Sequence, residues 1–194
     1  MNYSFFAFIS RMKHIDRWAL MRNSDRENVQ EHSHMVAVLA HALAVIRRDV
    51  YKKEADPNAA ATVALFHDAP EILTGDMPTP VKYFNPDIQA AYKQVEKIAG
   101  QRLISTLPEI MQEEYTSLID DENNPQRDII KAADKLAAYI KCLEELRAGN
   151  EEFRSAAIQT RNKLYSLKMP EVDYFLEHFI SAFELTLDEL NLND

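Results

Sequence analysis

The chain has 194 residues, enough for one domain over residues 1–194 with a single buried core, and its scarcity of glycine, with only three, favours an all-α fold. Its formal net charge of −9 excludes the broad basic face that binding to a nucleic-acid polymer requires. The single cysteine, Cys142, excludes an intrachain disulfide framework, and no apolar run reaches membrane length, so we expect a cytoplasmic protein that does not enter the membrane.

Eight helices are predicted from apolar residues at helical spacing and from residues that typically begin helices. In chain order they cover residues 3–14, 28–49, 56–68, 85–106, a short stretch after Pro108, 126–148, 151–167 and 170–181. Asn28 and Glu31 have the spacing of a capping box, and Asp56 and Asn85 each precede a proline at the first helical position. A turn at residues 186–189 follows the last helix.

Two of these helices carry long apolar faces that we expect to be buried. In helix 85–106 the residues are Ile88, Tyr92, Val95, Ile98 and Leu103. In helix 126–148 they are Ile129, Ile130, Ala133, Leu136, Ala137, Ile140 and Leu143. Cys142 falls in the second helix and is interpreted as a small buried hydrophobic residue.

Two irregular segments are predicted to be ordered loops. Residues 16–24 lack a helical period but contain the only tryptophan, in the pair Arg17-Trp18, and loops with large aromatic and cationic groups often line sites. Residues 74–80 contain one glycine and two prolines, which oppose a regular helix and hold polar groups in a stiff turn. Because this second loop begins three residues after Glu71, we expect it to lie near His67-Asp68.

An apolar helix that ends at His67-Asp68 suggests a pair of metal ligands, because imidazole and carboxylate groups both bind borderline divalent cations. Asp134 lies in mid-helix beside an apolar face, where an unpaired carboxylate is costly to bury. A salt bridge to Lys131 or Lys135 explains that position equally well. His32 also stands among apolar residues, and a packed core histidine is the simpler interpretation of it alone.

Taken together, these residues have the order His32, His67-Asp68, Asp134 on three predicted helices, and this set resembles the HD-domain metal-dependent phosphohydrolases. A closer similarity, to the YfbR-type 5′-deoxynucleotidases, is carried by Arg17-Trp18 and by segments 27–33, 67–83 and 141–146. It extends over nearly the whole chain. The resemblance implies an HD-domain helical bundle with a single metal site in its core, where the four residues ligate one divalent cation such as Co, Mn, Zn or Fe.

The resemblance further implies hydrolysis of 2′-deoxynucleoside 5′-monophosphates to deoxynucleoside and phosphate. Activity is expected to be broad in base and selective against ribonucleotides, and a homodimer is expected. The implied catalytic residues are Glu71, Arg17 and Asp68. The implied substrate contacts are Arg17, Trp18, His32, Asp68, Asp76, Met77, Pro78, Thr79 and Asp134.

Two imidazoles and two carboxylates leave open metal positions for a water and a phosphate oxygen. Arg17 is suited to neutralise phosphate charge, and Glu71, four residues after His67, is placed to handle a proton if the helix continues. The alternative for Glu71 is an exposed glutamate or a partner of a ligand histidine. The resemblance implies that Trp18, by position alone a core residue, packs against the sugar and leaves no room for a 2′-hydroxyl, and that Asp76 accepts a hydrogen bond from the 3′-hydroxyl.

Two other functions remain open. One is a different HD-domain nucleotide phosphohydrolase, and the other is a non-catalytic helical module that binds metal or nucleotide. The absence of histidine between Asp68 and Asp134 favours a one-metal monoesterase over two-metal members of the superfamily. His34 and His41 are expected to lie outside the site.

Overall fold

The structure is a computed structural model that describes residues 2–82, 84–120 and 124–190, and within these ranges the backbone forms helices and one isolated bridge but no strand ladder. The α-helices are α1 (Phe5–Ile9), α2 (Val29–Val45), α3 (Pro57–Ala64), α4 (Glu71–Thr74), α5 (Thr79–Lys82), α6 (Pro86–Ile104), α7 (Glu109–Ile119), α8 (Arg127–Arg147), α9 (Arg154–Ser166) and α10 (Pro170–His178). Shorter helical segments are Met12–His14, Ile46–Val50, Glu151–Phe153 and Ile180–Glu184. The all-α prediction is confirmed. Across the described ranges, no helix is both long enough and apolar enough to cross a bilayer.

The predicted helix starts are confirmed at three positions. Asn28 accepts a hydrogen bond from the backbone N–H of Glu31, and the Glu31 carboxylate accepts one from the backbone N–H of Asn28, which completes a capping box. Asp56 and Asn85 each accept a hydrogen bond from the backbone N–H three residues later. These caps fix where α2, α3 and α6 begin.

Helix α8 lies at the centre of the bundle, where it packs against α2, α3 and α9. Its seven predicted core residues are all buried, as is Cys142. They belong to a main apolar cluster that includes Val36, Leu43, Val63, Ala64, Leu136, Ile140, Phe153, Leu164 and Phe175. A smaller second cluster consists of Phe5, Ala69, Leu103, Ile104, Leu107 and Ile119.

The predicted buried face of α6 is partly wrong. Three of its five residues do lie on the buried or half-buried side, namely Ile88, Tyr92 and Leu103. Val95 and Ile98, however, are 50% and 43% exposed. The helix instead packs through Gly100, where an added Cβ would lie 3.1 Å from Ile119 Cγ2 and 3.7 Å from Pro70 Cγ. The small residue allows a close approach that larger apolar side chains on this face would prevent.

The helix predicted over residues 56–68 ends earlier, at Ala64, and residues 65–70 form tight turns. From Phe66 onward, the backbone hydrogen bonds of this stretch connect residues three apart. Pro70 explains the difference, because proline has no N–H to donate and its ring crowds the carbonyl four residues earlier. His67 and Asp68 therefore lie in a turn, and Glu71 begins a separate helix.

Two other boundaries differ from the prediction. The helix predicted over residues 3–14 is broken into α1 and a 3₁₀ segment. The loop at 74–80 turns at Gly75, whose φ of +73° suits glycine, and it then begins α5 at Thr79. Pro80 is tolerated there because the first turn of a helix does not need its N–H.

The loop before α2 is fastened to α8 through Glu145, which is 1% exposed. Its carboxylate accepts hydrogen bonds from the backbone N–H groups of Ser24 at 2.8 Å and Asp25 at 3.1 Å. It also accepts from Lys141 Nζ at 2.6 Å and Asn150 Nδ2 at 2.7 Å. Lys141 in turn donates to the Asp25 carbonyl at 2.6 Å. A buried carboxylate with this many donors favours its ionised form.

Replacing Glu145 with glutamine is expected to flatten the pH dependence of stability. Burial raises the pKa of Glu145, but hydrogen bonds from Lys141, Asn150 and two backbone N–H groups outweigh it and lower the pKa to about 2. The unfolded value is about 4.3, so this stabilisation, about 3 kcal/mol, is present above that pH and is lost as the pH falls towards 2. Urea unfolding across this pH range measures it. The control is Glu113→Gln at an exposed position of α7, and equal slopes for the two variants would contradict the assignment.

Candidate functional site

Three elements bring four predicted residues together. His32 comes from α2, His67 and Asp68 from the turn after α3, and Asp134 from α8. The ligand atoms of His32, His67 and Asp68 all lie within 4.8 Å of one another. Asp134 Oδ1 lies 3.1 Å from His32 Nε2. We call these four residues the ligand cluster.

The imidazole of His67 is oriented by the end of α3. Its Nδ1 lies 2.6 Å from the carbonyl oxygen of Ala64, and since a carbonyl oxygen only accepts, Nδ1 carries the hydrogen. In the neutral ring the lone pair is on Nε2, which is buried without a hydrogen-bond partner and lies 3.1 Å from Asp68 Oδ2. A histidine held through one nitrogen with the other free is typical of metal ligands.

His32 is fully buried, and its Nε2 faces two carboxylates, Asp134 Oδ1 at 3.1 Å and Asp68 Oδ2 at 3.7 Å. The other oxygen of Asp134 accepts a hydrogen bond from Lys135 Nζ at 2.7 Å. The salt bridge to Lys135 and the contact with His32 thus use different oxygens of one carboxylate. The two interpretations of Asp134 are therefore compatible.

Both cluster carboxylates are ionised in this setting. Burial raises the pKa of Asp68, but the neighbouring His67, His32 and Arg17 outweigh it and lower the pKa below its usual range. For Asp134, Lys135 and the two histidines outweigh burial in the same way and lower its pKa. Two imidazole nitrogens and two carboxylates form a donor set that suits a borderline divalent cation, and the unpartnered His67 Nε2 fits that interpretation.

Glu71 is buried at the start of α4, with 6% of its surface exposed, so the interpretation as an exposed glutamate is wrong. Its Oε2 is buried and has no hydrogen-bond partner. Burial is the main cause that raises its pKa, to about 10, with the charges of Asp68 and Asp76 adding to it and Arg17 and Lys82 opposing it. The carboxyl group therefore holds its proton at neutral pH.

Arg17 lies beside the ligand cluster, with its Nη1 3.4 Å from Asp68 Oδ2. Its Nε donates to Glu27 Oε2 at 3.0 Å, and its side chain is 12% exposed. Burial lowers the pKa of Arg17, but Asp68, Asp134 and Glu27 outweigh it and keep the guanidinium charged. The remaining N–H groups of this cation are suited to an anionic oxygen next to the cluster.

Trp18 follows Arg17 in an uncommon backbone conformation, with a φ of +58°. Its indole N–H donates to Glu27 Oε2 at 3.2 Å, and its ring packs on Phe153 with centroids 5.3 Å apart. One face of the ring therefore contacts the main apolar cluster, while the side chain remains only half-buried.

The loop after Gly75 carries the other predicted substrate contacts. Tyr92 holds it in place through its hydroxyl, which donates to the Gly75 carbonyl at 3.2 Å and lies 3.3 Å from Thr74 Oγ1. Asp76 is half-buried, burial raises its pKa, and its charge interacts with those of Arg17 and Asp68.

The rest of this loop is less closely tied to the site. Met77 and Pro78 are half-buried and Thr79 is exposed. Within the described residues, no hydrogen bond or ion pair links these three to the ligand cluster. His34 and His41 are both exposed.

Glu27 was not predicted to belong to the site. It lies in the loop before α2 and contacts both Arg17 and Trp18. The sequence indicated it only as part of the similar segment 27–33. Its contacts depend on how the loop turns back on itself, which no periodic pattern reveals.

Comparisons with known proteins agree with this geometry. Residues 4–183 match the family described as 5′-deoxynucleotidase YfbR-like. A 5′-deoxynucleotidase of Pectobacterium atrosepticum is 50% identical over 194 residues, covering 98% of each chain. One of Photobacterium profundum is 48% identical over 189 residues, covering 96% of this chain and 97% of its own.

Two solved structures have a similar fold. An HD-domain phosphohydrolase of Listeria innocua has a TM-score of 0.82 at 25% identity, over 93% of this chain and 88% of its own. The cyanophage S-2L HD phosphohydrolase, bound to dA and one catalytic Zn²⁺ ion, has a TM-score of 0.59 at 18% identity, over 93% and 99%. The chain therefore belongs to the YfbR-like 5′-deoxynucleotidase family and has the helical fold of the HD-domain phosphohydrolases.

Proposed function

We propose that the protein hydrolyses 2′-deoxynucleoside 5′-monophosphates to deoxynucleoside and phosphate, with a broad range of bases and selection against ribonucleotides. The observation that carries the proposal is the convergence of the ligand cluster with the charged Arg17 and the protonated Glu71. The relatives named 5′-deoxynucleotidase support it, since they match almost the whole chain.

We propose that His32, His67, Asp68 and Asp134 hold one divalent cation. When bound there, the cation would polarise the phosphoryl group and lower the pKa of a water molecule. Asp68 has a second task, because its Oδ2 also lies 3.4 Å from Arg17 Nη1 and so places the guanidinium beside the phosphate. Arg17 then neutralises charge on the phosphate oxygens.

In the reaction, water oxygen forms a bond to phosphorus while the bond between phosphorus and the sugar 5′-oxygen breaks. The leaving 5′-oxygen takes up a proton, and Glu71 is the group that supplies it, because its buried carboxyl group is protonated at neutral pH. The negative charge of Asp68 helps to keep this proton in place, because it raises the pKa of Glu71. Glu71 recovers a proton from the attacking water.

Trp18 is proposed to pack against the sugar and leave no room for a 2′-hydroxyl. Asp76 is proposed to accept a hydrogen bond from the 3′-hydroxyl, with Met77, Pro78 and Thr79 lining the same side of the substrate. The hydrogen bonds of Tyr92 to the loop support this arrangement, because they hold the backbone next to Asp76. Selection would then be steric and would require no partner for the 2′ position.

Release of phosphate from a panel of deoxyribonucleoside and ribonucleoside 5′-monophosphates tests the proposal. The purified protein is assayed as isolated, after chelation, and after divalent cations are restored. Metal-dependent release from several deoxynucleotides is the expected result. Nucleotide or metal binding with no release from any monophosphate would instead favour the non-catalytic module, and release only from a cyclic nucleotide or a triphosphate would favour another phosphohydrolase.

Trp18→Ala is expected to admit ribonucleotides, because removal of the indole opens space where the 2′-hydroxyl would clash. The ratio of kcat/KM for dAMP to that for AMP should fall by roughly 10- to 100-fold. Leu20→Ala, at an exposed position of the same loop, is the matched control and should retain the selectivity. An unchanged ratio in Trp18→Ala would show that Trp18 has only a structural role.

We also propose a homodimer that acts in the cytoplasm as one domain. Val95 and Ile98 support the dimer, since they are three residues apart on one face of α6 and expose apolar surface that a second copy would cover. Light scattering after size-exclusion chromatography measures the mass in solution, and a monomer at working concentration would contradict the dimer.

A further inference from the structure

The loop that carries Arg17 and Trp18 is closed by its backbone. Asp16 and Asn28 form an isolated antiparallel bridge. The N–H of Arg17 donates to the Glu27 carbonyl at 2.9 Å, and the N–H of Val29 donates to the Ile15 carbonyl at 3.0 Å. These bonds use no side chain, so the loop has its own closure without the Glu27 carboxylate.

The Glu27 carboxylate does not close the loop. It binds the two side chains proposed to select the substrate. Its Oε2 accepts from Arg17 Nε at 3.0 Å and from Trp18 Nε1 at 3.2 Å. Its side chain is 16% exposed and that of Arg17 is 12% exposed, so water competes little for these bonds. A single oxygen of Glu27 therefore fixes both the Arg17 guanidinium and the Trp18 indole. The two side chains are adjacent in sequence, but one is proposed to bind phosphate and the other to contact the sugar.

Both partners need such a restraint. The φ of +58° at Trp18 is uncommon for a residue with a Cβ and requires its surroundings to hold it. The Arg17 guanidinium is planar and is held at two points, by Glu27 through Nε and by Asp68 through Nη1 at 3.4 Å. Two fixed points set the direction of the remaining N–H groups.

We propose that Glu27 is a positioning residue that sets the phosphate-binding guanidinium of Arg17 and the sugar-facing indole of Trp18 with a single carboxylate oxygen. The proposal rests on the proposed function. It adds that phosphate affinity and selection against ribose depend on the same group. A change at Glu27 therefore alters both properties together, although Glu27 itself touches neither phosphate nor sugar.

Glu27→Gln tests this coupling in the metal-loaded enzyme, because it keeps the side-chain shape but replaces one oxygen by a donor. We expect KM for dAMP to rise about tenfold and the ratio of kcat/KM for dAMP to that for AMP to fall about tenfold when the proteins are compared at equal metal content. Metal content is measured in each preparation, because Glu27 Oε1 also lies 4.0 Å from His32 Nδ1. The matched control is Glu144→Gln, an exposed carboxylate whose charge interacts with that of Glu27. It should match the wild type in both quantities.

Fluorescence gives a readout independent of turnover. Trp18 is the only tryptophan, so emission reports its indole alone. Glu27→Gln should shift the emission and reduce the change caused by adding inorganic phosphate, while Glu144→Gln should not. In a double-mutant cycle, Trp18→Phe and Glu27→Gln should lower selectivity non-additively, because both act on one bond.

Wild-type KM, selectivity and emission in Glu27→Gln would overturn the proposal. So would a rise in KM with unchanged selectivity, since the coupling is what is claimed. If Glu27→Gln loses helical circular dichroism, Glu27→Asp replaces it, which keeps the charge but shortens its reach, and wild-type values there would overturn the proposal. Failure of the proposed function looks different: the wild type would release no phosphate, while the emission of Trp18 would still respond to Glu27→Gln.

Discussion

Asp68→Ala is expected to abolish metal binding and hydrolysis together, with kcat/KM falling by about three orders of magnitude or more. The reason is the position of one oxygen. Asp68 Oδ2 lies 3.1 Å from His67 Nε2, 3.4 Å from Arg17 Nη1 and 3.7 Å from His32 Nε2. Its removal would take away one of the four proposed ligands and leave Arg17 Nη1 without this acceptor.

Metal content by mass spectrometry and phosphate release from dAMP measure the two losses in the same preparation. Asp134→Ala should also lose both bound metal and activity, since it removes the other carboxylate of the ligand cluster. Asp87→Ala, at an exposed position in the first turn of α6, is the matched control and should keep both metal and activity. Retention of bound metal in Asp68→Ala would show that this carboxylate is not a ligand.

Glu71→Gln is expected to lower kcat by about 100- to 10,000-fold while leaving metal content intact. Glutamine has the shape of a protonated glutamate and is neutral, so the buried site at the start of α4 should accept it. It has no proton of comparable acidity to give to the leaving oxygen. Circular dichroism and metal content check that the fold and the cluster persist.

The leaving group separates proton donation from other roles of Glu71. An aryl phosphate releases a phenolate that needs little protonation, so Glu71→Gln should slow its hydrolysis far less than that of dAMP. Glu113→Gln, an exposed residue of α7, is the control. Equal losses for both substrates would assign Glu71 to positioning instead, and a loss of metal would make it a structural partner of the cluster.

The centre of the fold could be predicted from the sequence because it depends on periodicity alone. All seven residues predicted for the inner face of α8 are buried, since a helix enclosed by others repeats its apolar residues regularly. The face of α6 was partly wrong, because at Gly100 a small residue, rather than a large apolar one, makes the closest approach. Close packing of this kind has no counterpart in hydrophobic periodicity.

The site was likewise predicted only in part. The order His32, His67-Asp68, Asp134 indicated a common cluster before any fold was known, and the structure brings these residues together. The turn that presents His67 was predicted as helix, because the effect of Pro70 reaches back farther than the proline itself. Glu27 was not predicted, because its contacts depend on the geometry of the loop rather than on the spacing of residues in the sequence.

The turn that carries the histidine and aspartate has a further consequence, because it passes from one apolar cluster to the other. Ala64 at its beginning belongs to the main cluster, and Ala69 at its end belongs to the second. An ion bound by His67 and Asp68 would therefore lie where the two apolar clusters meet. The affinity for the ion would therefore depend on how stably the two clusters pack against each other. If the second cluster loosens, we expect the ion to be lost before the rest of the protein unfolds.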